Sequence, residues 1–321
     1  ASFEARYQND RVTNTAGVVS TKFSTNAFLP RVIVDYKIAP NVMLYGSIAD
    51  GNKPTQANAP VIPLSPERQV IAAAQGLTVV AREEKVRNYE LGIKTQFWDG
   101  RVTFNANAFY ADWKDKQSSS VVSIDFNGDG RVDPNLTGAN REFFAGVIIP
   151  QGDVRVTGLE LEGTLLATDE LTLSGSFAYT NPRFRSPTII PTFSGTVDAS
   201  GQQEPFISKY TATASVDYRR EVSEGTVGFA RADFNYLGSR FASILNEAYT
   251  GAAYLLNLRV GVEKGPITVT LYVDNVLQDR TLTSLIQQGD AALDPARFAI
   301  TSYEAALPRK RQFGITIAGR F

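Results

Sequence analysis

The chain has 321 residues and a mass of 35.0 kDa, enough for one large or two ordinary domains. Its 32 basic and 33 acidic residues leave a formal net charge of -1, so no strong field points to nucleic acid. Cysteine and histidine are both absent, which removes disulfides, thiolate metal sites, cysteine nucleophiles, Ser-His-Asp triads and imidazole ligation together.

Mean hydropathy is -0.15, and no apolar run nears the ~20 residues of a transmembrane helix. Hydropathy is blind to barrels, however, because half of each barrel strand is polar. Thirteen Tyr, 19 Phe and 25 Gly against a single Met favour strands and turns over helices. No signal-like stretch precedes Ala1, and the chain reads as a processed or truncated piece.

In chain order, residues 2–11 are a weak strand candidate, followed by a polar loop to about Asn26. A hairpin follows, in which Val32, Val34, Tyr36 and Ile38 alternate with charged residues. It turns at Pro40-Asn41 and returns through Val42, Leu44 and Ile48. A second sets Tyr89, Leu91, Ile93 and Phe97 before Asp99-Gly100 and returns through Val102, Phe104, Ala106, Ala108 and Tyr110. Asp-Gly between alternating runs is a strong hairpin signal, since Gly accepts positive φ freely. The third turns at Asp169-Glu170, the fourth near residue 224, and the fifth at Lys264-Gly265-Pro266. Long loops are expected over 51–82, 114–153, 182–206, 238–250 and 277–307. The last stretch, PRKRQFGITIAGRF, alternates from Phe313, with Ile315, Ile317 and Phe321 on its apolar face.

Tight turns therefore alternate strictly with long loops, the pattern of outer-membrane barrels rather than of propellers or sandwiches. Strands of roughly 9–13 residues suit a tilted bilayer crossing. The polar faces carry Glu90, Lys94, Glu160, Glu162, Asp217, Arg219, Arg231, Asp233 and Arg259. These fit a hydrated lumen, where they touch a plug or solute or simply form solvated wall. Aromatics near strand ends (Tyr89, Phe97, Trp98, Tyr110, Trp113, Tyr179, Tyr210, Tyr218 and Tyr236) stand where interfacial girdles belong. The expected fold is an all-β, antiparallel transmembrane β-barrel with about 12 strands in this chain.

One loop carries a cation-binding pattern. Asp125, Asn127, Asp129 and Asp133 occupy positions 1, 3, 5 and 9 of a calcium loop, with Gly130 at 6 and a carbonyl from Arg131 at 7. Leu136 stands at position 12, where a bidentate Glu belongs, so an Asp/Gly-rich surface turn is the competing reading. Any calcium in 125–133 would order the loop, and no other cofactor is required. The loop aromatics Phe143, Phe144, Phe193 and Phe206 are candidates for ligand contact or for packing between loops.

The ordered segments NYELGIKTQFWDGRVTFNANAFYADWKDKQ (88–117), VTGLELEGTL (156–165), LYVDNVLQDR (271–280) and the terminal PRKRQFGITIAGRF resemble the C-terminal half of a TonB-dependent outer-membrane receptor. PRVIVDYKIAPNVMLYGSIADGNKP (30–54) resembles a strand pair of the same family. The resemblance implies a plugged barrel of roughly 22 strands, of which the plug and about ten strands lie outside this chain. It further implies contact with the TonB complex through the plug, with outer-membrane lipid, and with the barrel assembly machinery through Phe313, Ile315, Ile317 and the terminal Phe321. The implied activity is uptake of a scarce solute, most often a ferric siderophore, with carbohydrate, cobalamin or other metal chelates as alternatives, and without catalysis. Two other readings remain: a smaller stand-alone pore of about 12 strands, closing by pairing its first strand with 311–321, and a soluble calcium-ordered β-protein.

Overall fold

Period-2 alternation of apolar and polar residues, broken by Gly- and Asp-containing turns, sets up strands with two chemically distinct faces. The computed structural model describes residues 1–16, 19–124, 126, 142–185, 188–192, 195–290 and 299–320. Twelve strands form one antiparallel meander. They are β1 (Ser2–Ala16), β2 (Val19–Ala39), β3 (Val42–Lys53), β4 (Glu84–Phe97), β5 (Val102–Lys114) and β6 (Val154–Leu166), then β7 (Leu171–Phe184), β8 (Tyr210–Ser223), β9 (Thr226–Leu237), β10 (Ala253–Lys264), β11 (Ile267–Asp274) and β12 (Gln312–Gly319). Each strand pairs only with its chain neighbours in this order, so β1 and β12 are edges. A closed 12-stranded pore would pair them, and among the described residues they do not pair.

The register keeps the apolar face continuous from strand to strand. One row runs Leu44, Ile93, Ala106, Leu161, Phe177, Ala212, Tyr236 and Tyr254. Near the far edge, Val260, Leu271 and Ile315 continue the same face. The short turns are local. Trp98, Asp99 and Gly100 all take positive φ between β4 and β5, and Glu224-Gly225 joins β8 to β9 with Gly225 at φ 63°.

Four expectations change. The polar segment after residue 11 is not a loop, because its Val and Thr residues extend β1 and β2 into one long hairpin, with Ala16 opposite Val19. Residues 51–82 include a helix, α1 (Pro66–Ala74). Ser65-Pro66-Glu67 is a helix-start signal, with Pro at the first position and an acidic residue in the first turn. Three of the long loops hold hairpins of their own: Gln117–Ile124 with Phe143–Pro150, Ile189–Thr192 with Gly195–Asp198, and Ser284–Asp290 with Ala299–Ala306. Finally, Trp113 does not belong to the aromatic girdle. It lies an odd number of residues from Tyr110, so it points to the polar face and packs into the loops.

No helix among the described residues is long and apolar enough to cross a membrane, which says nothing of crossing by strands.

Candidate functional site: the polar face and its loop cap

The polar face is a wall of rows set by register. Lys94 opposes Asn105, Asn105 opposes Glu162, and the row continues through Ser176, Thr213 and Asn235. Glu160 stands opposite Asn107, whose Nδ2 donates to its Oε2 at 3.1 Å. Tyr45 donates its hydroxyl to Glu90 Oε1 at 2.5 Å, and Lys94 Nζ lies 5.5 Å from the Tyr45 ring centre. Thus Glu90, Lys94, Glu160, Glu162, Arg231, Asp233 and Arg259 share one face, but they form separate groups across it.

One group is a ladder of alternating sign. Arg231 reaches Asp233 at 2.8 Å and Asp217 at 3.6 Å, while Arg259 reaches Asp233 at 3.5 Å and Asp274 at 3.3 Å. Three carboxylates meet two guanidinium groups there, all partly exposed. A cavity of about 480 Å³ opens beside them, with Glu162, Thr213 and Asn257 in its lining.

Aromatics on this face lie flat. Tyr45, Phe109, Phe229 and Tyr272 each sit opposite a glycine on the next strand: Gly92, Gly158, Gly261 and Gly314. A Cβ at any of these glycines would collide with the ring above it. Without a side chain beneath, each ring rests against the wall, which pins the register and keeps the face open.

The buried core of the chain lies at the long-loop end of this face. Val61, Ala72, Leu77, Ala145, Val147, Ile149, Val154, Phe184 and Ala199 form one cluster, with Trp113 against it. Val154 and Phe184 belong to the polar side of β6 and β7, so the loops fold over that side and not over the apolar one. Asn58, 2% exposed, fastens two of them. Its Nδ2 donates to Thr78 O at 2.8 Å and Ile148 O at 2.9 Å, and its Oδ1 accepts from Ile148 N at 2.7 Å.

Beside this core is a buried ion pair between loops, Lys116 Nζ to Glu204 Oε1 at 2.8 Å. The second oxygen of Glu204, its Oε2, is buried without a hydrogen-bond partner, as are Gln117 Oε1 and Trp113 Nε1. Burial pushes the Glu204 carboxyl above its ordinary value, with Lys116 opposing and Glu84 reinforcing the shift. Sequence reading missed both Lys116 and Glu204. Neither has a local signal, since they are distant in sequence and meet only through the fold.

Of the remaining predicted residues, Phe313, Ile315 and Ile317 lie on the apolar face of β12, 71%, 60% and 70% exposed. Phe206 is half exposed at φ 63°. The calcium candidates Asp125, Asn127, Asp129, Arg131 and Asp133 lie outside the described residues, as do Phe193 and Phe321. The side chains of Phe143 and Phe144 are likewise outside the description.

A sequence model of the family described as "TonB dependent receptor-like, beta-barrel" matches residues 1–276. Among solved structures, the ferric yersiniabactin uptake receptor FyuA from Yersinia pestis superposes with a TM-score of 0.69 at 20% identity, covering 99% of this chain and 42% of that one. BauA, the ferric preacinetobactin receptor from Acinetobacter baumannii, gives a TM-score of 0.66 at 15% identity, covering 98% and 39%. The copper transporter OprC gives a TM-score of 0.61 at 13% identity, covering 94% and 40%. At these identities the likeness shows the fold, an arc of barrel wall. The chain spans about two fifths of the length of the solved proteins it matches.

Proposed function

Because the chain belongs to the TonB-dependent receptor-like β-barrel family, we propose that it supplies part of the wall and loops through which a scarce solute is taken up actively. The sheet is a segment of a bacterial outer-membrane barrel, with its apolar face to lipid and its polar face to the lumen. A ferric siderophore is the leading solute class, since FyuA and BauA are receptors of that kind. OprC, a copper transporter, keeps other metal cargo in view. No catalytic step belongs to this reading.

The observation that carries it is the placing of the loop core. The loops bury their apolar side chains over the mouth of the polar face, leaving below them an open wall lined by Ser, Thr, Asn and the Arg231 ladder. A capped mouth above a hydrated wall suits capture followed by controlled passage, whereas a passive pore gains nothing from a cap. The energy source would be the TonB complex acting through a plug in the rest of the receptor. The unpaired edges of β1 and β12 would meet further barrel strands there. Phe313, Ile315 and Ile317, with Phe321, would serve recognition by the assembly machinery. Calcium bound at 125–133 would order its loop without travelling.

The test is iron-limited cells whose outer membrane carries the full receptor, offered radiolabelled iron on a panel of siderophores. Saturable uptake of one member, lost when the inner-membrane proton gradient is collapsed, is the expected result. Uptake that survives uncoupling would overturn active transport in favour of a pore. Energy-dependent uptake of copper but no siderophore would move the cargo to another class.

A further inference from the structure

The polar face is not uniform around the wall. From Thr172 to Thr180 every residue that β7 turns to the lumen is Ser, Thr or Ala, and Thr211, Thr213 and Ser215 continue this on β8. Ser176 and Thr213 share a hydrogen bond across the two strands, 2.7 Å between their hydroxyl oxygens, and both side chains are exposed. These side chains are short and carry no charge. On one flank, β6 sets Glu162 beside Ser176 and Glu160 beside Ala178. On the other, β9 sets Asn235 beside Thr213, and beside Ser215 it sets Asp233 with its partners Arg231 and Arg259.

Long side chains on the flanks and short ones between them leave a trench. The cavity of about 480 Å³ lies along it, floored by Ser174, Ser176, Thr213 and Ser215 between Glu162 and Arg259. The lumen-facing rings stop at its borders. Phe109 lies over Gly158 of β6 and Phe229 over Gly261 of β10, whereas Phe177, Tyr179 and Tyr210 belong to the apolar face. The run from Thr172 to Thr180 covers about 26 Å of strand at about 3.3 Å per residue. Once tilted, that is most of the ~25 Å height of a barrel's apolar band. At its upper end Thr180 N donates to Lys209 O, where the chain returns from the cap, and at its lower end Thr172 stands opposite Asp217. The trench therefore joins the capped mouth to the short-turn side.

We propose that this trench on β7 and β8 is the track along which the solute passes from the cap to the short-turn end of the barrel, with Ser174, Ser176, Thr213 and Ser215 as its contact residues. The inference rests on the uptake reading above and adds the sector of wall that the solute uses. Transit needs contacts favourable enough to admit a solute and weak enough to release it. Hydroxyls meet both needs, because each donates or accepts as the passing group requires and none holds it by charge. The flanks confine the solute without trapping it, since Arg231 and Arg259 are already engaged with Asp217, Asp233 and Asp274. A floor of this kind admits polar, hydrogen-bonding solutes and offers an apolar one nothing in exchange for its contacts with water.

The chain has no cysteine, so a single thiol can be placed in it at will. The experiment uses iron-limited cells carrying the full receptor, otherwise free of cysteine, with Ser176→Cys, Thr213→Cys or, as control, Gln96→Cys. Gln96 is exposed on the same polar face, three strands away on β4. Each thiol is capped with a small methylthio group or with a maleimide bearing a bulky polyethylene glycol, and adducts are counted by mass. Gel mobility with and without heating shows that each receptor is folded. The probe is the radiolabelled ferric siderophore of the panel that the unmodified receptor takes up. Its uptake should survive the methylthio group at all three sites. The bulky adduct should abolish uptake in Ser176→Cys and Thr213→Cys, down to the level of uncoupled cells, and spare it in Gln96→Cys. Excess ferric siderophore should also slow the labelling of the two trench thiols, and only in energised cells. Full uptake past a bulky adduct in the trench, equal loss at all three sites, or trench thiols that no reagent reaches would each overturn the track. Absence of energy-dependent uptake in the unlabelled receptor would instead overturn the uptake reading itself.

Discussion

The barrel wall and the loop cap come from one chain but hide apolar side chains in different ways. In the wall, Leu91, Phe313 and Ile317 stand 67%, 71% and 70% exposed, on a face that is continuous only because the register holds across twelve strands. In the cap, Val61, Ile149 and Val154 are wholly buried against one another. The wall is solvated by lipid and held by its backbone ladder, as any membrane-spanning sheet must be. The cap lies outside the bilayer and needs a protein-like core of its own. The difference teaches that the long loops are a folded layer on the mouth of the wall, so each region can be damaged separately.

The largest separation should come from the buried pair in the cap. Lys116→Met leaves Glu204 charged and buried without its partner, a loss of about 3–5 kcal/mol confined to the cap. Hydrogen exchange should rise in residues 54–83, 143–153 and 185–209 while the strands stay protected and the heat-modifiable mobility persists. Unchanged exchange in the loops would mean that the cap does not depend on this pair. The pair also carries a pH signature. Because burial raises the Glu204 carboxyl in the folded state, the folded cap binds the proton more tightly than the unfolded one. Cap stability should therefore fall as pH climbs from the ordinary carboxylate range through the raised value. In Glu204→Gln that slope should flatten.

The matching injury to the wall is Leu91→Arg, which sets a charge on the lipid face and should cost about 2–4 kcal/mol of barrel stability. Folding into lipid vesicles, followed by urea titration, measures it. If the two regions are separable, loops in the surviving folded fraction keep wild-type protection. Loss of protection in both regions at once would show that the cap cannot form on a weakened wall.

The wall was legible in the sequence and the cap was not, for a physical reason. Strand faces repeat every second residue and turns are set by neighbours such as Asp99-Gly100, so local reading finds Tyr89, Leu91 and Ile93 on one side and Glu90 and Lys94 on the other. The cap rests on contacts between residues far apart, such as Asn58 with Ile148 and Lys116 with Glu204, and no window of sequence brings these together. Two misses were avoidable. Ser65-Pro66-Glu67 announces α1, and counting from Tyr110 turns Trp113 away from the girdle.

A smaller effect tests how the wall keeps its lumen clear. In Gly314→Ala the new Cβ meets the Tyr272 ring, and overpacking of this kind costs about 1–3 kcal/mol. Tyr272→Ala in the same chain should recover much of that loss, because the three atoms nearest the new Cβ all belong to that ring. A double-mutant cycle reads the coupling directly, and additivity of the two changes would mean that the ring does not rest on the glycine.

The smallest stability effect should come from the charged ladder on the polar face of the wall. Arg231 and Arg259 join Asp217, Asp233 and Asp274 in pairs of 2.8–3.6 Å, yet the members are partly exposed to the lumen. Exposed pairs contribute roughly 0–1 kcal/mol, since water screens them and long side chains lose freedom in making them. Arg259→Gln should then barely move the urea midpoint of the folded barrel. A ladder with so little part in stability is free to meet a plug or a passing solute, and the same variant should alter solute uptake under iron limitation. The two readouts divide the outcomes. A large stability loss would make the ladder a structural strut, and unchanged uptake with unchanged stability would leave it as solvated wall.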